Sequence, residues 1–314
     1  MRLQKLLLVF GGLVAFAQTF TPPDDLVFRR ARILSEGTGM AAEVYSPKSS
    51  EGVKLPTVIM CHGWGGTASG LRREAVDIAR AGYLVVVFDY RGWGESDSRL
   101  ILTSPAPGEK HNHTFTAEVR EVREVVDPLD MARDLLNAIH WVHGDPQVDT
   151  SRIGLWGSSY SGGHVVWAAA RDHRIKALVS QVGGMDSRPL AKALNAFDVA
   201  TKRTRGEIGY PAPRVQEVGK LFGGPIVEKM IDYAPVEDAA KVPTHCAQLY
   251  IVAANEELFD NRENGIKAHA LARGPKKLVS IPAITHYGVY REAREQATKL
   301  AIAWFDEHLK GAAK

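Results

Sequence analysis

The sequence predicts an α/β fold: a mostly parallel, doubly wound sheet covered by helices on both faces, with a small helical cap inserted. Three observations carry this expectation. Residues 57–61 and 83–88 (YLVVVF) are short, continuous runs of β-branched and apolar side chains, the composition of strands buried on both faces. Such runs alternate with segments of helical spacing along most of the chain, the pattern of parallel strands joined by crossover helices. At 314 residues with 45% hydrophobic content, the chain is large enough for one sizeable core, and a single α/β domain of this length is ordinary.

Taken in order, residues 27–34 and 40–45 flank Gly37 and Gly39 and predict an opening hairpin. After Pro56 come a strand at 57–61, a helix at 68–81 and a strand at 83–88. Residues 98–126 are polar, carry Pro105, Pro107 and Gly108, end in the charged run EVREVREVV, and read as a long insertion. A helix at 128–143, a strand at 152–156, a helix at 160–171 and a strand at 175–182 resume the alternation. Residues 187–242 hold helical pieces broken by Gly209-Tyr210-Pro211 and Gly223-Gly224-Pro225, and these are assigned to the cap. Excursions of such length inside a compact domain are characteristic of lids and binding loops. A strand at 247–253, a helix at 262–272, a strand at 277–281 and a closing helix from about residue 292 to 309 complete a single domain over residues 18–314.

Arg2 and Lys5 precede an apolar run at 6–17 that ends in Ala15-Phe16-Ala17, a small-x-small cleavage pattern. This predicts a signal peptide over 1–17 and a secreted or periplasmic protein beginning near Gln18. The run falls short of the roughly 20 residues that span a bilayer, so no stable membrane span is expected. Cys61 and Cys246 are expected to be buried free thiols. The formal charge of +3 comes from 39 basic and 36 acidic residues without a basic run, which argues against nucleic acid as a partner. No CxxC or His/Cys ligand spacing occurs, so neither metal nor cofactor is expected.

The chemistry concentrates in residues 153–163 (IGLWGSSYSGG), a predicted strand running into a helix through small residues. A nucleophile on a strained strand-to-helix turn needs small neighbours two positions before and after it, since larger side chains collide with the turn. Ser159 has Gly157 and Ser161 there, whereas Ser158 has Trp156 and Tyr160. Ser161 passes the size test but lies deeper in the helix, and it remains the alternative nucleophile. A serine hydroxyl needs a base to take its proton, and the tetrahedral intermediate needs donors aimed at its oxygen. The glycine-rich stretch His62-Gly63-Trp64-Gly65-Gly66 follows the strand at 57–61. The backbone N–H groups of Trp64 and Tyr160 are therefore the candidate oxyanion hole, each worth about 3 kcal/mol when well placed. His62, which precedes the serine, reads as a structural hydrogen-bonding residue.

These stretches, with FDYRGWGES at 88–96, VAANEELFD at 252–260 and ITHYG at 284–288, resemble the α/β-hydrolase superfamily. Within it they resemble the branch of dienelactone-hydrolase-like and X-prolyl-peptidase-like hydrolases that includes fungal polyketide transferases. The resemblance implies the chain order serine, acid, histidine, which leaves His269, His286 and His308 as possible bases. His286 alone follows a predicted strand in a loop before a helix. For the acid, the resemblance favours Glu256, where family chains often carry aspartate, with Asp260, Asp186 and Glu257 as alternatives. Asp89 and Arg91 are expected to brace the loop after their strand, and Tyr90 and Trp93 to line the substrate pocket beside Trp64.

The expected function is that of a serine hydrolase, cleaving a carboxylic ester or related acyl bond of a small-molecule substrate through an acyl-enzyme on Ser159. Acyl or polyketide transfer and peptidase action are alternatives on the same triad. A non-catalytic binding module is the alternative of another class, and such a module normally loses part of the triad.

Overall fold

The structure, a computed structural model, describes residues 20–311. The expected signal peptide at 1–17 lies outside the described residues. Glu36 and Gly37 both take positive φ, 48° and 84°, the requirement of a tight two-residue hairpin turn. That turn joins β1 (Leu26–Ser35) to β2 (Thr38–Pro47), which pair antiparallel with Ser35 opposite Thr38.

The chain continues through β3 (Leu55–Cys61), α1 (Arg72–Arg80) and β4 (Leu84–Phe88). It then forms β5 (Arg99–Leu102), β6 (Val119–Val122), β7 (Val125–Val126) and α2 (Pro128–His143). Next come β8 (Val148–Ser158), α3 (Tyr160–Ala169), β9 (Ile175–Gln181), α4 (Arg188–Ala193) and α5 (Ala196–Thr204). The last elements are β10 (Gly224–Pro225), α6 (Val227–Met230), α7 (Pro235–Asp238), β11 (Ala247–Ala253), α8 (Gly265–Leu271), β12 (Lys276–Ile281) and α9 (Arg294–Phe305).

Among the described residues the main sheet has eight strands in the order β1-β2-β4-β3-β8-β9-β11-β12. β2 runs antiparallel to both its neighbours, and the other pairings are parallel. Strand β4 shows why the central strands read as unbroken apolar runs. Its Leu84, Val86 and Phe88 pack in one layer with Leu135 and Ile139 of α2 and Val165 of α3. Its Val85 and Val87 pack in the other with Ile78 of α1 and Ala301 of α9. Each such side chain contributes about 1.5–3 kcal/mol by leaving water. Helix α2 starts where its sequence says it should: Pro128 needs no N–H partner in the first turn, and the Asp127 carboxylate accepts the Asp130 N–H at 3.1 Å.

Several boundaries differ from expectation. The segment at 68–81 opens with a 3₁₀ turn, Ala68–Leu71, whose first N–H is held by Asp89 Oδ1 at 2.6 Å. A 3₁₀ turn at Asn261–Glu263 likewise precedes α8, and the closing helix widens into a π turn at Asp306–Lys310. The 98–126 insertion contains the antiparallel pair β5 and β6, four-residue strands whose side chains are exposed or half-buried and too few to give a clear alternation. The excursion at 187–242 contains the short helices α4 to α7, a stretch at 205–223 without helix, and β10, which pairs with β7. Cys61 and Cys246 are buried and free, and burial pushes both thiols up to about 12.

Open α/β sheets bind ligands beyond the carboxyl ends of their strands. In this sheet those ends carry the loop at 62–66 after β3, Ser159 after β8, Glu256 after β11 and His286 after β12.

Candidate active site

Ser159 stands between β8 and α3 with φ 58° and ψ −124°, a conformation that costs a non-glycine residue about 1–3 kcal/mol. The surroundings hold it there. Its N–H donates to the Gln181 carbonyl at 2.8 Å, and its carbonyl accepts the Gly162 and Gly184 N–H groups at 2.9 and 3.1 Å. The size rule that selected it has a direct cause: a Cβ on Gly157 would lie 2.2 Å from the Ser161 carbonyl oxygen. Gly63 is excluded from carrying a side chain by Ser159 itself, whose Cβ would be 2.8 Å away.

The neighbouring serines are engaged elsewhere. Ser161 Oγ accepts the Ser158 N–H at 2.8 Å and lies 2.7 Å from the Cys61 carbonyl, which tie the alternative nucleophile into the backbone of the turn. Ser158 Oγ lies 2.7 Å from the Tyr290 hydroxyl and accepts from Gln181 Nε2 at 3.1 Å.

Ser159 Oγ lies 2.9 Å from Nε2 of His286, and His286 Nδ1 lies 2.9 Å from both carboxylate oxygens of Glu256. The His286 and Glu256 side chains are buried. An ionised carboxylate only accepts, so His286 Nδ1 carries the proton and donates it to Glu256, which leaves the Nε2 lone pair facing the Ser159 hydroxyl. Glu256 Oε1 also accepts the Leu258 N–H at 3.1 Å. The other acids stand apart from the imidazole ring. Asp260 caps and ion-pairs Arg262, Asp186 forms two hydrogen bonds to the Arg188 guanidinium, and Glu257 accepts the backbone N–H of His286 at 2.6 Å.

Among the described residues, the backbone N–H groups of Trp64 and Tyr160 donate to no other protein group. Both residues line a cavity of about 520 Å3 that opens on Ser159. His62 donates from Nδ1 to the Gly63 carbonyl at 3.0 Å, and burial drives its pKa below the usual imidazole range against the opposing pull of Asp89. Asp89 accepts the Glu95 N–H at 3.0 Å, and Arg91 Nε donates to buried Asp134 at 2.5 Å, so these two residues brace their loop as expected.

Tyr90 and Trp93 require a correction, since both are buried and neither lines the cavity. Tyr90 packs edge-on against His62 with ring centres 4.6 Å apart, and Trp93 Nε1 donates to the Val125 carbonyl at 3.2 Å. The strand order explains the difference: β3 and its loop stand between β4 and β8, which places residues 90–93 behind His62. The cavity walls are instead Leu190, Val218, Leu221, Phe259 and Tyr287 together with Trp64 and Tyr160. Val218 and Leu221 were not legible, because two apolar residues in a glycine-containing loop show no periodicity. Among the described residues, no group of three or more His, Cys, Asp or Glu side chains is placed to hold a metal ion, and no helix is long and apolar enough to cross a membrane.

The family pattern described as X-Pro dipeptidyl-peptidase (S15 family) matches residues 36–193, from the hairpin turn through Ser159 to the end of α4. The chain belongs to the S15 family. The S15 match ends before β11, so Glu256 and His286 lie beyond it. An uncharacterized 31.7 kDa protein of the traX-finO intergenic region in Escherichia coli is 29% identical over 308 residues, covering 88% of this chain and 98% of its own. A hypothetical protein from Pseudomonas aeruginosa superimposes with a TM-score of 0.72 at 21% identity, over 98% of this S15 chain and 100% of the other. The α/β hydrolase GrgF from Penicillium sp. superimposes with a TM-score of 0.70 at 17% identity, over 91% and 99% of the two chains. These likenesses establish the α/β-hydrolase fold.

Proposed function

We propose that the protein is a serine hydrolase that cleaves a carboxylic ester or related acyl bond through an acyl-enzyme on Ser159. The continuous hydrogen-bond chain from Ser159 through His286 to Glu256 carries this reading. Ser159 Oγ attacks the substrate carbonyl carbon as its proton passes to His286 Nε2. Glu256 stabilises the imidazolium, and the Trp64 and Tyr160 N–H groups receive the developing oxyanion. Collapse breaks the bond to the leaving group, which takes the proton from Nε2 and departs. Water then gives a proton to the same nitrogen, attacks the acyl carbon and regenerates the Ser159 hydroxyl.

Acyl transfer is the second reading. The apolar lining of the cavity favours it, because an acyl-enzyme shielded from water can be resolved by another nucleophile. The polyketide transferase grgF from Penicillium sp., 27% identical over 65% of each chain, agrees with such chemistry. Membership of the S15 family adds peptidase action as a further outcome on the same three residues. A binding module is disfavoured because serine, histidine and acid are all retained.

The test is hydrolysis of p-nitrophenyl acetate by the purified protein. Turnover that is unchanged by chelators supports the reading. A folded protein that cleaves neither esters nor thioesters contradicts it and favours the transferase or binding alternative.

A further inference from the structure

The cavity at Ser159 is bounded by a loop that the triad does not explain. Residues 215–223 close on themselves through the Gly223 N–H to Val215 carbonyl bond at 2.9 Å and the Leu221 N–H to Val218 carbonyl bond at 3.1 Å. The loop is fastened to the stretch that carries the proposed oxyanion donor. Trp64 Nε1 donates to the Gly223 carbonyl at 3.2 Å, and the Phe222 carbonyl sits so close to Gly65 that a Cβ there would be 3.0 Å away. The Trp64 ring packs edge-on against Tyr160 at 5.4 Å. Val218 and Leu221 thus share the cavity wall with Trp64, Tyr160, Leu190 and Phe259.

Several polar side chains at the cavity are already engaged. Asp186 is paired with Arg188, the Ser187 and Tyr160 hydroxyls lie 2.9 Å apart, and Asn264 accepts the Met185 N–H at 2.7 Å. What remains toward the reacting serine is chiefly aromatic and aliphatic surface. Because this space opens directly on Ser159, it is available to the part of a substrate that stays bonded to Ser159 after the leaving group departs. A volume of about 520 Å3 is of the size that encloses a drug-like molecule, far more than an acetyl group fills.

We infer that the cavity selects an apolar acyl group much larger than acetyl, and that Val218 and Leu221 on the loop are specificity-determining residues for it. This inference rests on the acyl-enzyme reading of Ser159. Transfer of apolar surface from water favours the longer chain by up to about fourfold per fully buried methylene.

The experiment compares kcat/KM for p-nitrophenyl acetate, butyrate, hexanoate and octanoate in the wild type, Leu221→Asn, Val218→Thr and a control, Phe197→Asn. Phe197 is exposed on α5 and lies outside the cavity. Reaction with a fluorophosphonate probe is measured on each protein. The expected result is a kcat/KM that rises from acetate to octanoate in the wild type and the control. In Leu221→Asn the octanoate-to-acetate ratio falls tenfold or more, with a smaller fall in Val218→Thr. A wild type that labels and cleaves acetate but gains nothing with chain length overturns this inference alone, as does an unchanged ratio in Leu221→Asn. A wild type that neither labels nor cleaves any ester overturns the acyl-enzyme reading and this inference with it.

Discussion

Glu257 accepts the backbone N–H of His286 at 2.6 Å while its neighbour Glu256 meets the Nδ1 of the same residue at 2.9 Å. Two consecutive side chains of the loop after β11 therefore fix both the backbone and the ring of one histidine. Removing the Glu257 acceptor frees the turn that aims Nε2 at Ser159, and small misplacements of a reacting group are costly. Glu257→Ala is expected to lower kcat roughly tenfold, the worth of one charge-assisted hydrogen bond. Glu257→Gln retains an acceptor oxygen and is expected to restore most of the loss. Steady-state kinetics of both variants check this, and equal losses in the two would show that hydrogen-bond acceptance is not what Glu257 supplies.

Glu256→Gln is expected to keep the fold and lower turnover by several orders of magnitude, because an amide neither stabilises the imidazolium nor enforces the Nδ1–H tautomer. Asp260→Asn and Asp186→Asn, whose carboxylates serve Arg262 and Arg188, are the comparisons. A crippling loss in either of those variants, with activity retained in Glu256→Gln, would reassign the acid.

Stability should fall on acidification through a group behind the nucleophile. His164 of α3 is fully buried, its Nδ1 lies 2.6 Å from the Tyr233 hydroxyl, and burial, with a smaller electrostatic contribution from the neighbouring His62, pushes its pKa down to about 3. In the unfolded chain His164 binds a proton as pH drops through about 6.5, while in the folded chain it stays neutral until about 3. Stability therefore declines as pH falls across that window, by about 2 kcal/mol at pH 5 from this group. Asp134 acts in the opposite sense. Burial raises its pKa to about 6 from 3.8, so its contribution is present below 3.8 and is lost as pH rises through 6. Urea unfolding at pH 7.5 and pH 5 should isolate the histidine: His164→Gln is expected to lose less stability than the wild type on acidification. An identical loss in both proteins would contradict the assignment.

Export is proposed on the pattern of Arg2, Lys5, the apolar run and Ala15-Phe16-Ala17. N-terminal sequencing of the protein from its natural host is expected to begin at Gln18 or a close neighbour. An intact Met1 on protein from the cytosol would refute it.

The sheet was legible because strands such as β4 are buried on both faces and so must be apolar at every position, and Ser159 was legible because the strained turn excludes side chains at Gly157. The positions of Glu256 and His286 came from their places just beyond β11 and β12, which chain order and a family resemblance could indicate. What sequence could not reveal depends on which strands are neighbours. Tyr90 and Trp93 follow β4, and only the order β4-β3-β8 shows that they lie behind His62 rather than beside Ser159. Val218 and Leu221 reach the cavity through the Trp64 to Gly223 hydrogen bond, a contact across 159 positions of chain with no local signature. The pairing of β5 with β6 was hidden because both strands are only four residues long and Arg120 and Glu121 interrupt the apolar character of β6.

The central claim is that Ser159 is the residue acylated, and the most direct measurement is the site of a fluorophosphonate adduct, located by peptide mass spectrometry. The expected result is one adduct on Ser159, with probe reaction abolished in Ser159→Ala and ester hydrolysis lowered by roughly six orders of magnitude if the triad acts as a unit. Ser158→Ala and Ser161→Ala should remain reactive at Ser159. An adduct on Ser161, or hydrolysis in Ser159→Ala at a rate near that of the wild type, would contradict the account.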